Sequence, residues 1–318
     1  MLDLTSKRIT VTGGAGFLGK HVVAKLQALG CTEIFIPQRP EYDLVQAADV
    51  ARMYEDARPE IVIHLAAKVG GIGYISELPA EFLYENAMMG MLVIEQAHRF
   101  GVEKVTVTGT VCSYPRDTPL PFREENLWDG YPEETNGPYG LAKRLLIAQG
   151  QACRRQYGLN AINLVLSNLY GPGDNFDPKS SHVIPAQIRK CADALEVGEQ
   201  EIDVWGSGEA TREFLYVEDA AEAVVLATQR YDGGDPVNVG TGEEITIREL
   251  VETIIRLTGL SGGRAVWDAS KPDGQPRRHL DASKAVEEFG FRAQTPLDAG
   301  LRATIDHYRS EYVGERGA

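Results

Sequence analysis

The sequence predicts an α/β protein built on a doubly wound parallel sheet, with a second, smaller α/β domain. Three observations predict it. Short strand-like runs at 7–12, 61–66, 105–115 and 160–166 alternate with stretches of helical periodicity at 21–29, 79–100 and 139–157. The run at 61–66 is almost continuously apolar, as a strand covered on both faces must be. A glycine-rich turn joins the first strand to the first helix.

The first strand, 7–12, runs into Gly13, Gly14, Ala15, Gly16, Phe17, Leu18 and Gly19, and a helix follows at 21–29. Strand, glycine turn and helix in that order are the context a dinucleotide needs. Gly13 and Gly16 let the backbone turn tightly and approach a pyrophosphate, and Gly19 lets the helix pack closely on the strand. The second strand, 33–36, ends in Pro37, Gln38 and Arg39. An NAD enzyme usually carries an acid here for the ribose hydroxyls. None is present, and Arg39 suits a 2′-phosphate, which favours NADP and keeps NAD as the alternative. Arg39 also reads as a solvated loop arginine. Asp43 and Leu44 either meet the adenine edge or open the next helix as a cap.

A glycine-rich loop, 68–72, follows the strand at 61–66. The strand at 105–115 is small and β-branched, and Pro115 stops it; Thr110 and Cys112 lie at its end. Beyond Pro172 the alternation loosens into a polar loop at 175–182, a helix at 183–196 and a short strand at 203–205. The run 214–217 resembles a sheet strand again, with a helix at 218–229 and an apolar strand at 237–240. A capped helix is expected at 246–258, a short strand at 265–267, a polar stretch at 269–278 and a frayed end after Tyr312. The dinucleotide domain is then discontinuous, 1–171 plus 214–242, and the substrate domain is 172–213 plus 243–318.

The 318 residues are 43% hydrophobic and 25% charged, with a net charge of −14. That charge argues against nucleic acid or an anionic membrane surface as a partner. An anionic ligand then needs a local basic pocket. The four cysteines are far apart and show no metal-type spacing, so no metal is expected, and free thiols fit a reducing cytoplasm. No apolar run reaches membrane-spanning length, and no signal peptide is read at the N-terminus.

The chemistry centres on Thr110, Tyr139 and Lys143. A spacing of four places Tyr139 and Lys143 one turn apart on one helical face. A nearby ammonium stabilises a phenolate, and a hydroxyl at the strand end can bind the same substrate oxygen, a unit suited to carbonyl–alcohol redox. Tyr-x-x-x-Lys pairs also arise by chance on exposed helix faces; the glycine turn upstream shifts the balance.

With the longer strings 66–72, 112–115, 168–172, 174–176, 181–185, 205–208, 212–215 and 268–274 in the same order, the sequence resembles the extended short-chain dehydrogenase/reductase family over nearly its whole length. The resemblance is to the branch that epimerises and reduces GDP-linked 4-keto sugars on a Rossmann-type fold. It implies conversion of GDP-4-keto-6-deoxy-D-mannose to GDP-L-fucose with NADPH: epimerisation at carbons 3 and 5, then reduction at carbon 4. Cys112 and His182 match the family's acid/base pair, and Thr110 matches its serine. Implied cofactor positions are Gly13 to Gly19, Arg39, Asp43, Leu65, Ala66, Ala67, Thr108, Lys143, Leu166, Asn168, Leu169 and His182. Implied substrate positions are Asn168, Val183, Lys190, Trp205, Arg212, Lys271 and Asp273, with Lys190 and Arg212 suited to a diphosphate. The resemblance also implies a homodimer formed by the helices at 79–100 and 139–157.

Two positions depart from the family's pattern. Ala15 stands where many members hold the 2′-phosphate with arginine, and the strand end reads Gly109, Thr110, Val111, Cys112 in place of Gly-Ser-Ser-Cys. A related 4-keto sugar or another nucleotide therefore stays open. So do a nucleotide-sugar 4-epimerase or dehydratase with tightly held NAD, and a non-catalytic nucleotide sensor on the same fold.

Overall fold

The computed structural model describes residues 1–271 and 273–313. Pro272, inside the 268–274 string, lies outside the described residues, as does almost all of the chain expected to fray after Tyr312.

The first half alternates strand and helix. Strand β1, Ile9–Thr12, leads through the glycine turn into helix α1, Phe17–Ala28, then β2, Ile34–Phe35, and α2, Ala47–Ala57. Strand β3 is Ile61–His64, followed by a short α3, Ile72–Glu77, and the long α4, Pro79–Arg99, whose proline sits in the first turn, where no N–H is needed. Strand β4, Lys104–Thr110, ends in a tight helical turn at Val111–Ser113. Helix α5, Gly137–Tyr157, stops at Gly158 in the left-handed region, and β5, Asn160–Leu166, follows.

The second half gives β6, Asn168–Tyr170, α6, Val183–Val197, and β7, Glu201–Trp205. Next come β8, Thr211–Arg212, β9, Phe214–Tyr216, α7, Val217–Arg230, and β10, Val237–Val239. Then come β11, Ile245–Thr246, and α8, Ile247–Thr258. Thr246 caps α8 and Glu249 returns the bond to Thr246, the reciprocal box that a capped helix at 246–258 requires. Strand β12, Arg264–Asp268, and helices α9, Ser283–Phe289, and α10, Leu297–Tyr308, complete the described elements.

The central sheet is parallel throughout, in the order β2-β1-β3-β4-β5-β10. Strand order reverses between β1 and β3, so a crevice opens above their C-terminal ends. Strands β4 and β5 pair in register from Lys104 with Asn160 to Thr110 with Leu166, which carries Thr110 to the rim of that crevice. One sheet face is buried against α1, α7 and α9 through Val22, Leu26, Val224 and Phe289. The other is buried against α2, α4 and α5 through Met53, Tyr54, Ile94 and Leu146. A separate core joins α6, α8 and α10 to β7, β6 and β9 through Ile188, Val204, Leu250 and Ile305.

Three sequence expectations are corrected. The run 214–217 does not join the central sheet: β9 pairs in parallel with β6, a strand that the polar residues around Ser167 conceal. The strand expected at 105–115 stops at Thr110, where the tight helical turn at Val111–Ser113 begins. Asp43 does not cap α2, whose N-cap residue is Gln46. Among the described residues, no helix is long and apolar enough to cross a membrane.

Candidate active site

The glycine turn is built for close approach. Gly13 has φ +72°, and a Cβ there would lie 2.7 Å from the amide nitrogen of Ala66; a Cβ on Gly19 would collide with the carbonyl of Gly13. These contacts clamp α1 against the ends of β1 and β3. No side chain caps α1 at Gly16, and free amides in a helix's first turn are an anion site. Gly13, Ala15, Gly16, Phe17, Leu18 and Gly19 line a cleft of about 1560 Å³. Arg39, Asp43, Leu65, Ala66, Ala67, Thr108, Leu166, Asn168 and Leu169 line the same cleft. Gly14 is outside this lining, because it faces Ile36 and the carbonyl of Val11. A turn that only hydrogen fits, beside an uncapped helix, suits a dinucleotide pyrophosphate. Arg39 is largely exposed, 3.9 Å from the carboxylate of Glu85.

Deeper in the cleft, the Lys143 ammonium donates to the carbonyl of Thr108 at 2.9 Å. The Thr108 hydroxyl donates to the carbonyl of His64 at 3.2 Å, and the His64 Nδ1 meets the Thr12 hydroxyl at 2.7 Å. One hydrogen-bonded chain thus ties β1, β3, β4 and α5 beneath the site. Burial lowers the Lys143 pKa to about 8. Burial, with the Lys143 charge adding to it, holds His64 at about 3, so His64 is neutral. Lys143 lies 5.9 Å from the centre of the Tyr139 ring. Burial and then the charge of Cys112 push the Tyr139 phenol well above its ordinary value, opposite to the lowering expected from Lys143. Burial governs the phenol, and the ammonium is bonded to the carbonyl of Thr108.

Thr110, Cys112, Tyr139, Lys143 and His182 all open on this cleft. The hydroxyl of Thr110 accepts the N–H of Cys112 at 3.3 Å and so shapes the turn at Val111–Ser113. Gly140 lets α5 press against that turn, since a Cβ there would strike the carbonyl of Cys112. His182 is the N-cap residue of α6. Its ring opens on the cleft, and desolvation by the surrounding walls lowers its pKa.

Val183, Lys190, Trp205, Arg212 and Asp273 also line the cleft, whereas Lys271 is outside this lining, with its ammonium 5.3 Å from the centre of the Trp205 ring. Lys190 donates to the carbonyl of Asp203 at 2.6 Å. Arg212 is buried and donates to the carbonyls of Gln275 at 2.6 Å and Asp273 at 2.9 Å. Burial lowers its pKa to about 10.

Two site residues escape the sequence reading. Arg278 places Nη1 3.3 Å from the sulfur of Cys112. It sits in the polar stretch at 269–278, whose basic residues Lys271, Arg277 and Arg278 are visible in the sequence without a role for Arg278, and 166 residues separate the partners. Asp174 lines the cleft with one carboxylate oxygen buried and unpartnered, and burial raises its pKa to about 7. It stands inside the 174–176 string, but burial of an acid leaves no mark in the sequence.

Comparison with known proteins agrees with this geometry. A family model described as the NAD dependent epimerase/dehydratase family matches residues 9–240. The chain is 41% identical over 303 residues to GDP-L-fucose synthase 1 of Arabidopsis thaliana, covering 95% of this chain and 93% of that protein. The fold superposes on a GDP-L-fucose synthetase from Naegleria fowleri bound to NADP with a TM-score of 0.87, at 28% identity, covering 98% of this chain and 97% of that one. It superposes on a GDP-6-OMe-4-keto-L-xylo-heptose reductase from C. jejuni with a TM-score of 0.90, at 27% identity, covering 96% and 99%. With the glycine turn, the parallel sheet and the Tyr139–Lys143 helix in place, the chain belongs to the NAD dependent epimerase/dehydratase family.

Proposed function

We propose that this chain is an NADP-dependent epimerase-reductase that converts GDP-4-keto-6-deoxy-D-mannose, or a close 4-keto analogue, to GDP-L-fucose. One observation carries the reading: a single cleft joins the redox unit Thr110, Tyr139 and Lys143 to a separate acid/base pair, Cys112 and His182. Relatives named GDP-L-fucose synthase support the substrate, and the NADP-bound fold neighbour supports the cofactor.

A ketone at carbon 4 acidifies the protons on carbons 3 and 5. Inverting those centres requires a base on one face, an acid on the other, and a donor for the enolate oxygen. In this reading Cys112 removes each proton, His182 returns one to the opposite face, and Thr110 and Tyr139 hold the oxygen. Tyr139 then protonates the 4-oxygen when the ketone is reduced. NADPH, held by the turn at Gly13 to Gly19 with Arg39 at the 2′-phosphate, supplies the hydride when bound. Lys143 fixes the ribose side of the site while bonded to Thr108. Asn168, Val183, Lys190, Trp205, Arg212, Lys271 and Asp273 serve the nucleotide and its diphosphate.

The division into a dinucleotide domain, 1–171 plus 214–242, and a substrate domain, 172–213 plus 243–318, belongs to this proposal. The α6/α8/α10 core supports it, although α9 packs on the dinucleotide side. A cytoplasmic homodimer belongs to it as well, supported by exposed Leu83 and Tyr84 on α4 and Leu145 on α5.

The test is a panel of GDP-, dTDP- and UDP-linked 4-keto sugars with NADPH or NADH in deuterated water. Expected are one NADPH oxidised per GDP-sugar and deuterium at carbons 3 and 5. Cys112→Ser should lose exchange far more than reduction of an already epimerised ketone. Turnover without net NADPH oxidation, or equal loss of both steps in Cys112→Ser, would overturn the reading.

A further inference from the structure

A buried guanidinium needs a counter-charge, because an unpaired cation away from water is costly. Arg278 is buried, and its Nε donates to the side-chain oxygen of Gln275 at 3.1 Å, a neutral acceptor. Its Nη1 points to the sulfur of Cys112 at 3.3 Å. Glu133, an anionic carboxylate held by Thr135 and Asn136, lies in the field of Arg278. The group that meets this arginine at hydrogen-bond distance, and that gains a negative charge on ionising, is the thiol.

The contact is held from both sides by a strap of chain, 273–281. On the side of the proposed substrate domain, Asp273 accepts the N–H and hydroxyl of Ser207 at 2.8 and 2.9 Å, and the Thr211 N–H donates to the carbonyl of Pro276 at 2.9 Å. On the sheet side, Phe122 donates to the carbonyl of His279 and accepts from the N–H of Asp281, each at 2.9 Å. Leu280 donates to the carboxylate of Glu213 at 2.8 Å. Fastened at both ends, the strap gives the guanidinium little freedom to leave the sulfur.

We propose that Arg278 is a positioning residue that holds Cys112 as its thiolate, ready to act as the carbon base. Only a thiolate can accept the proton: the S–H bond forms as the C–H bond breaks, and the electron pair passes to the enolate oxygen. An opposite charge within hydrogen-bond reach favours the ionised thiol. The other groups facing this sulfur are the cation of Arg212 and the phenol of Tyr139; Glu133 and Asp273 lie in the field of Arg212, and His182 lines the same cleft. The role in carbon chemistry rests on the epimerase reading; the ionisation itself does not.

The test is the pH dependence of iodoacetamide alkylation of the full-length protein, followed by mass spectrometry on the peptide that carries Cys112. Cys31, Cys153 and Cys191 are buried and serve as internal controls. The wild-type midpoint is expected below the ordinary thiol value of about 8.5. Arg278→Met should raise it by about 1–3 pH units, and Arg278→Lys should restore most of the drop. A wild-type midpoint at or above the ordinary value overturns the proposal, whether or not Arg278→Met folds. So do midpoints equally raised in the Met and Lys variants, or a raised KM for the GDP-sugar with an unmoved midpoint, which would assign Arg278 to the diphosphate alone. Deuterium exchange that survives in Cys112→Ser removes Cys112 as the carbon base and leaves the alkylation midpoint to judge Arg278.

Discussion

Asp174 shows how a single buried group writes a pH signature into the whole protein. One of its oxygens accepts the N–H of Asn175 at 2.7 Å, and the other is buried with no partner among the described residues. Its pKa rises from 3.8 to about 7, with burial as the cause. Between those values the folded state holds a proton that the unfolded chain has lost, so stability falls as pH rises through that window. Asp174→Asn should therefore stabilise the protein at pH 8 by on the order of 1 kcal/mol and give no gain near pH 4. Urea unfolding at both pH values measures this, and a variant less stable than wild type at pH 8 contradicts it. Side chains linked by helical spacing, such as Tyr139 and Lys143, were legible because one turn of helix fixes their separation. Arg278 and Cys112 were not, because their contact depends on where a distant strap crosses the strand end.

At the scale of elements, the meeting of α5 with the turn at Val111–Ser113 sets the geometry of the site. Gly140 is the contact point, and the atom facing it is a backbone carbonyl that cannot rotate away. Gly140→Ala should push α5 off the turn, cost about 1–3 kcal/mol and separate Tyr139 from Cys112. A displacement near 1 Å in such a site lowers turnover by roughly 100-fold. Thermal unfolding and steady-state rates check both parts; an Ala variant with wild-type turnover would show that the helix does not set the spacing. The strands of the central sheet were readable where apolar runs are long, and β5 falls within 160–166 as expected. Strands β6 and β9 hold only three residues each, too few for a period to declare itself, and they pair with each other across 46 positions. Helix α10 buries Leu301, Ile305 and Tyr308 at helical spacing, a pattern diluted by the polar residues between them.

For the whole molecule, a net charge of −14 surrounds a cleft that gathers Arg39, Lys190, Arg212 and Arg278. Local cations in an acidic body draw an anionic nucleotide to one place. Exposed Leu83, Tyr84 and Leu145 on α4 and α5 are the apolar surface on which the proposed homodimer rests. Sedimentation at micromolar concentration should give twice the 34.8 kDa chain mass, and Tyr84→Glu with Leu145→Glu should return it to one chain. A wild-type chain sedimenting alone would remove the dimer. The strap at 273–281 has one more consequence, which concerns the order of synthesis. Every strand of the central sheet has been synthesised by Val239, together with the glycine turn and the Tyr139–Lys143 pair. The arginine that faces the thiol is still to come. A nascent chain at that stage carries the residues for the nucleotide cradle without the arginine of the proposed proton-transfer centre, which is completed only near the close of translation.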